Sequence, residues 1–159
     1  MRIAMSKIVT TAALILLAAS VSAAEKTKTH FQKAVELYTK GPSKADEILR
    51  ELDLELKERP SNSGAYVLKA LTLMGTKRCP EALMVVRQLE EVPSLKGKVF
   101  PAALEVRARC LCEFGKFAEA KAALEPYKEH FQQKEEWRKS YATLMQGIEK
   151  LLRMEEAAR

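Results

Sequence analysis

Strand signals are nearly absent from this chain of 159 residues. No extended run alternates β-branched with polar residues, and no Asn-Gly or Asp-Gly pair marks a hairpin, which argues against a sheet. Histidine and cysteine are scarce: His30 and His130, and Cys79, Cys110 and Cys112. A structural zinc site takes four ligands, commonly in spaced pairs, and these five residues do not supply that spacing. No Cys-x-x-Cys opens a helix, as a thioredoxin-like centre requires. There is no glycine-rich phosphate loop, no His-Glu-x-x-His and no nucleophile elbow. The glutamate pairs Glu90-Glu91, Glu135-Glu136 and Glu155-Glu156 are sequence neighbours. Neighbours on a helix diverge by about 100°, so none converges as an acid/base pair does. His130, beside Phe131 near a helix end, reads as a structural surface residue, and His30 has no neighbouring ligand set. The sequence therefore assigns no catalytic residue, no metal ligand and no cofactor.

Long runs of one charge are missing too. The formal net charge is +6, but signs alternate along the chain and no basic–aromatic stripe appears. That pattern reads as a solvated surface, and no nucleic-acid partner is expected. At the N-terminus, Arg2 and Lys7 precede an apolar run from about Ile8 to Val21, followed by the small-x-small triplets Val21-Ser22-Ala23 and Ser22-Ala23-Ala24. This is the layout of a secretory signal peptide. The apolar run is shorter than the roughly 20 residues of a membrane span. The expectation is a cleaved signal over residues 1–24, a mature domain over 25–159 located in the periplasm or secreted, and no stable membrane span after cleavage. Loss of Arg2 and Lys7 leaves the mature domain at +4.

What the chain has in quantity is apolar residues at spacings of three and four, with Ala, Leu, Glu and Lys between them. That is helical periodicity. Breakers divide it at Gly41-Pro42, Pro60 to Ser63, Gly75 to Pro80, Pro93 to Pro101 and Gly115. Helices are predicted over Thr29–Lys40, Ser43–Arg59, Ser63–Gly75, Pro80–Val92, Pro101–Phe114, Phe117–Phe131 and Lys134–Ala157. Pro80 and Pro101 fit a first helical turn. Pro126 falls inside a predicted helix, which must kink or end just before it.

The segment "GKFAEA" (Gly115, Phe117, Glu119, Ala120) resembles the core of the tetratricopeptide repeat, with Ala108 and Leu111 upstream and Leu124 downstream. The same frame fits Tyr66, Ala70 and Leu73, then Cys79, Glu81, Ala82, Val86 and Leu89; a worn copy runs through Ala34, Leu37, Gly41, Ala45, Leu49 and Leu52. The small position recurs at 34, 70 and 108, a spacing of 36 and 38 residues against the family's 34. Lys69 and Arg107 stand at a usually apolar position, and Lys77 stands where glycine is expected. The resemblance implies an all-α fold of antiparallel helix pairs stacked as a short right-handed solenoid. The repeats run over about 27–60, 63–96 and 101–134, with a capping helix over 134–157.

It further implies a concave groove for a protein or peptide partner, lined by Phe31, Val35, Tyr38, Val67, Leu68, Leu71, Met74, Val106, Arg109, Arg138 and Met145. On the family frame Cys110 faces the preceding repeat and Cys112 the groove. The implied disulfide is Cys79–Cys110, with Cys112 as the alternative partner. The functional expectation is an exported, non-enzymatic scaffold or adaptor of the cell envelope. A thiol-active protein and a self-associating structural subunit stand as alternatives.

Overall fold

The computed structural model describes residues 28–158, so the expected signal peptide lies outside the described residues. Those residues are helical throughout and contain no strand. The helices are α1 (His30–Thr39), α2 (Ala45–Glu58), α3 (Ser63–Gly75), α4 (Cys79–Glu91), α5 (Pro101–Glu113), α6 (Phe117–Leu124), α7 (Lys128–Phe131) and α8 (Glu135–Ala157). Short 3₁₀ turns lie at Pro42–Lys44, Pro93–Leu95 and Glu125–Tyr127. No helix among the described residues is long and apolar enough to cross a membrane.

Local chemistry sets the ends. Thr29 caps α1 in a reciprocal box: its hydroxyl accepts from the Gln32 N–H at 3.1 Å, while the Thr29 N–H donates to Gln32 Oε1 at 3.0 Å. The Asn62 side chain accepts from the Ala65 N–H and starts α3. Proline occupies the first turn of α4 and α5, where its missing N–H has no intrahelical acceptor to forgo. The sequence predicts one helix from Phe117 to Phe131. It divides at Leu124 into α6, a 3₁₀ turn holding Pro126, and α7, because proline cannot continue the α-helical ladder.

The turns inside the first three pairs share a positive-φ residue, and the second and third share a full geometry. Gly41, Lys77 and Gly115 all take positive φ, at 100°, 63° and 71°. Around Lys77 the chain closes a Schellman motif, with Lys77 N–H to Met74 O at 3.1 Å and Arg78 N–H to Leu73 O at 2.9 Å. Gly115 N–H to Cys112 O at 3.0 Å and Lys116 N–H to Leu111 O at 2.9 Å repeat it. At Gly41 only the first bond forms, to Tyr38 O, since the next residue is Pro42 and has no N–H.

Each helix from α1 to α5 packs on the next, α6 and α7 both pack on α8, and α1–α3, α3–α5 and α5–α8 also touch, forming a row of first helices. Ala34, Ala70 and Ala108 are buried along this row, and Ala82 and Ala120 are buried on α4 and α6. Three apolar clusters follow in chain order: one over α1 to α3 around Leu52, one over α2 to α5 around Val86 and Leu89, and one over α5 to α8 around Leu124 and Ile148. Lys69 and Arg107, at the usually apolar frame position, reach back to the preceding pair: Lys69 to Asp53 at 2.6 Å and Arg107 to Glu90 at 2.5 Å. Ser140 on α8 donates to Glu105 at 2.9 Å, and Lys121 pairs with Glu149 at 3.2 Å, which seats the last helix.

Among the described residues, one charged side chain is fully buried. Glu55 on α2 accepts from the Phe31 N–H at 3.0 Å, from Arg59 at 3.0 Å and from the Asn62 amide at 2.7 Å. It thereby joins the start of α1, the end of α2 and the cap of α3. Burial alone would raise its pKa; the Asn62 and Phe31 hydrogen bonds and the Arg59 charge overcome this and hold it below the ordinary 4.5. The folded carboxyl binds its proton less tightly than the unfolded one. Its contribution to stability is therefore complete above the ordinary 4.5 and fades as pH falls through the lower folded value. We expect Glu55→Gln to lose about 1–3 kcal/mol in urea unfolding at pH 7. The gap to the parent protein should narrow as unfolding is repeated at pH 4 and below.

Candidate functional site

The residues implied for a groove divide among three places. Leu68 and Val106 do not line a surface. Leu68 belongs to the α1–α3 cluster and Val106, fully buried, to the α2–α5 cluster. Both lie on the side of their helix that meets the preceding pair, so helix contact covers them. Phe31 packs on the first cluster, Val67 on the second and Met145 on the third, each half-buried. Val35 and Arg138 are exposed and line neither cleft described next.

The other four residues line two clefts. Tyr38 and Leu71 open on a cleft of about 280 Å³ between α1, the α1–α2 turn and α3, with Pro42, Ala45 and Thr76. Met74 and Arg109 open on a larger one of about 490 Å³, formed by the ends of α3 and α5 and the middle of α8. Its floor and walls are Met74, Leu144, Ile148 and Leu151, with the small residues Gly75, Thr143 and Gly147 between them. Lys77, Arg109 and Glu113 stand at its edge, with Lys77 paired to Glu113 at 2.8 Å and Arg109 to Glu105 at 2.7 Å. Thr143, Gly147 and Leu151 are absent from the implied groove set. The repeat frame turns α8 about one residue too far, because α8 has no following helix and seats itself by Tyr141 and Ile148. The spacing of four between 143, 147 and 151 is the signal that carries them.

Cys79 and Cys110 form a disulfide with a Cα–Cα distance of 5.3 Å, both sulfurs buried in the α2–α5 cluster. The first of the two implied pairings is the one present. Cys112 is free, half-buried, and lines the larger cleft. Burial pushes its thiol above the ordinary 9.0, and the nearby Arg109 charge pulls it back only in part.

The histidines are better engaged than the sequence implies. His30 Nδ1 lies 2.7 Å from Glu51 and Nε2 lies 3.6 Å from Glu58, so α2 supplies the neighbours that the local sequence lacks. His130 is half-buried rather than on the surface, edge-on to Tyr127, and its Nδ1 has no hydrogen-bond partner. No group of three or more His, Cys, Asp or Glu among the described residues is arranged to hold a metal ion.

No protein-family model matches this chain, and neither a curated protein nor a solved structure matches it.

Unreduced protein should take up one thiol label per chain, on Cys112, slowly at pH 7 and faster as pH rises toward the raised pKa. Intact mass after labelling, with tryptic mapping, reads this directly; three labels without reduction would exclude the bridge. Cys79→Ser/Cys110→Ser should lose roughly 3–4 kcal/mol in urea unfolding, the loop-closure value for this ring size.

Proposed function

We propose that the chain is an exported, tetratricopeptide-like binding module: a scaffold or adaptor of the cell envelope that holds a protein or peptide segment and carries out no catalysis. The observation that carries this reading is the cleft between α3, α5 and α8, apolar in its walls, small-residued along α8 and charged at its edge. Such a surface suits the apolar face of an amphipathic helix, whose polar face stays in water. Three further features support it. A positive-φ residue, at Gly41, Lys77 and Gly115, recurs with the spacing of the sequence repeat. Successive first helices touch in a row, as they do in a short solenoid closed by a capping helix. The buried Cys79–Cys110 bridge suits an oxidising compartment, in line with the signal-like N-terminus. The thiol-active alternative is weakened by the raised pKa of Cys112, since the thiolate is the reactive form.

Gly147 provides a test that leaves the core untouched. A Cβ placed there meets nothing within 4 Å, and Gly147 is one of the residues that line the cleft. Gly147→Leu removes a helix-interior glycine and should raise stability by about 0.5–1 kcal/mol. In selections from a displayed panel of amphipathic helical peptides, the parent protein should enrich binders. Those peptides should bind Gly147→Leu at least tenfold more weakly by fluorescence anisotropy. Equal affinity for the two proteins would remove the cleft as the binding site.

A further inference from the structure

The two long walls of the larger cleft come from segments that the disulfide ties together. Met74, Gly75 and Lys77 end at the residue two before Cys79, and Arg109, Cys112 and Glu113 bracket Cys110. The α3–α4 turn and the end of α5 are thus held by one covalent link, with a Cα–Cα distance of 5.3 Å, and by one exposed ion pair, Lys77–Glu113. An exposed pair between flexible side chains holds little against local opening. The bridge is the covalent tie between these walls; the rest of their contact is apolar packing in the α2–α5 cluster, which local opening can loosen, and within that cluster both cysteines are at most 1% exposed.

We propose that the Cys79–Cys110 disulfide is a redox latch for this cleft: its walls are held in register in the oxidised chain and part in the reduced one. Release is a two-electron exchange with a dithiol reductant. The S–S bond breaks, Cys79 and Cys110 each end as a thiol, and the reductant's two thiols become its own disulfide. Because the bridge is buried, exchange waits on a local opening of the α4–α5 contact, so a latch closed during folding stays closed in oxidising surroundings. With the proposed export, the chain would carry a slack cleft where it is made and a formed one where it is delivered. The inference rests on the proposed binding reading only for the use to which the cleft is put.

Cys112 reports on the latch, since it lines the cleft and is the free thiol. The measurement is its alkylation rate with N-ethylmaleimide at pH 8, helicity being followed by circular dichroism. Cys79→Ser/Cys110→Ser should react at least tenfold faster than the parent protein while retaining its helical spectrum. Leu52→Ala, a core truncation in α2 away from the cleft, separates local opening from general loosening and should react within twofold of the parent. A double cysteine variant within twofold of the parent, or an equal acceleration in Leu52→Ala, overturns the proposal. If the double variant loses its helical spectrum, the rate is read on Glu113→Ala with the bridge intact. The latch then predicts a value within threefold of the parent, and a tenfold acceleration overturns it. No ligand takes part in this assay, so its outcome is independent of whether Gly147→Leu loses peptide binding.

Discussion

The close approach of helices at alanine is the constraint on which the rest of the structure depends. Ala34, Ala70 and Ala108 hold corresponding positions on α1, α3 and α5 and are buried to within 1% of completely. A larger residue at any of them would push one helix away from its neighbours, and the apolar clusters on either side would lose their fit. Large residues then fill the space flanking each crossing: Leu52 in the first cluster, Leu89 in the second, Leu124 and Ile148 in the third. Because each crossing depends only on adjacent pairs, the core is assembled as a chain of local decisions, and the row of first helices follows from repeating one of them.

Polar contacts refine that stack. Lys69–Asp53 and Arg107–Glu90 make the same reach, from a first helix back to the second helix of the preceding pair. A charged residue at a usually apolar position thus serves as a register mark between pairs. Glu55 does this within the first unit, gathering three elements on one carboxylate. Removing water from that carboxylate is costly, and three donors converge to offset the cost.

Much of the fold is legible in the sequence because it is encoded locally. The breakers, the capping residues and the apolar spacing place every helix end in α1 to α5 within one or two residues, and the repeat frame points to Cys79–Cys110 before Cys79–Cys112. Lys77 takes the left-handed turn that its frame position demands even though it is not glycine. The site is less legible because it depends on how helices rotate about their axes. Leu68 and Val106 differ from the cleft residues by fractions of a helical turn, and that difference buries them. The face that α8 presents is set by Tyr141 and Ile148 meeting a partner that lies elsewhere in the chain. Glu55 leaves a trace that periodicity alone reveals: it continues the stripe of Ile48 and Leu52, so a charge there had to find donors in the interior.

The disulfide also divides the chain mechanically. It closes a ring between residues 31 positions apart, covering all of α4 and most of α5. If tension were applied to the two ends, force would pass across the sulfur bridge and bypass the ring, withholding about 100 Å of contour from extension. Under load, α1 to α3 and the C-terminal helices could lengthen while the ring from Cys79 to Cys110 stayed short, so the oxidised molecule behaves as a compliant strap with an inextensible buckle.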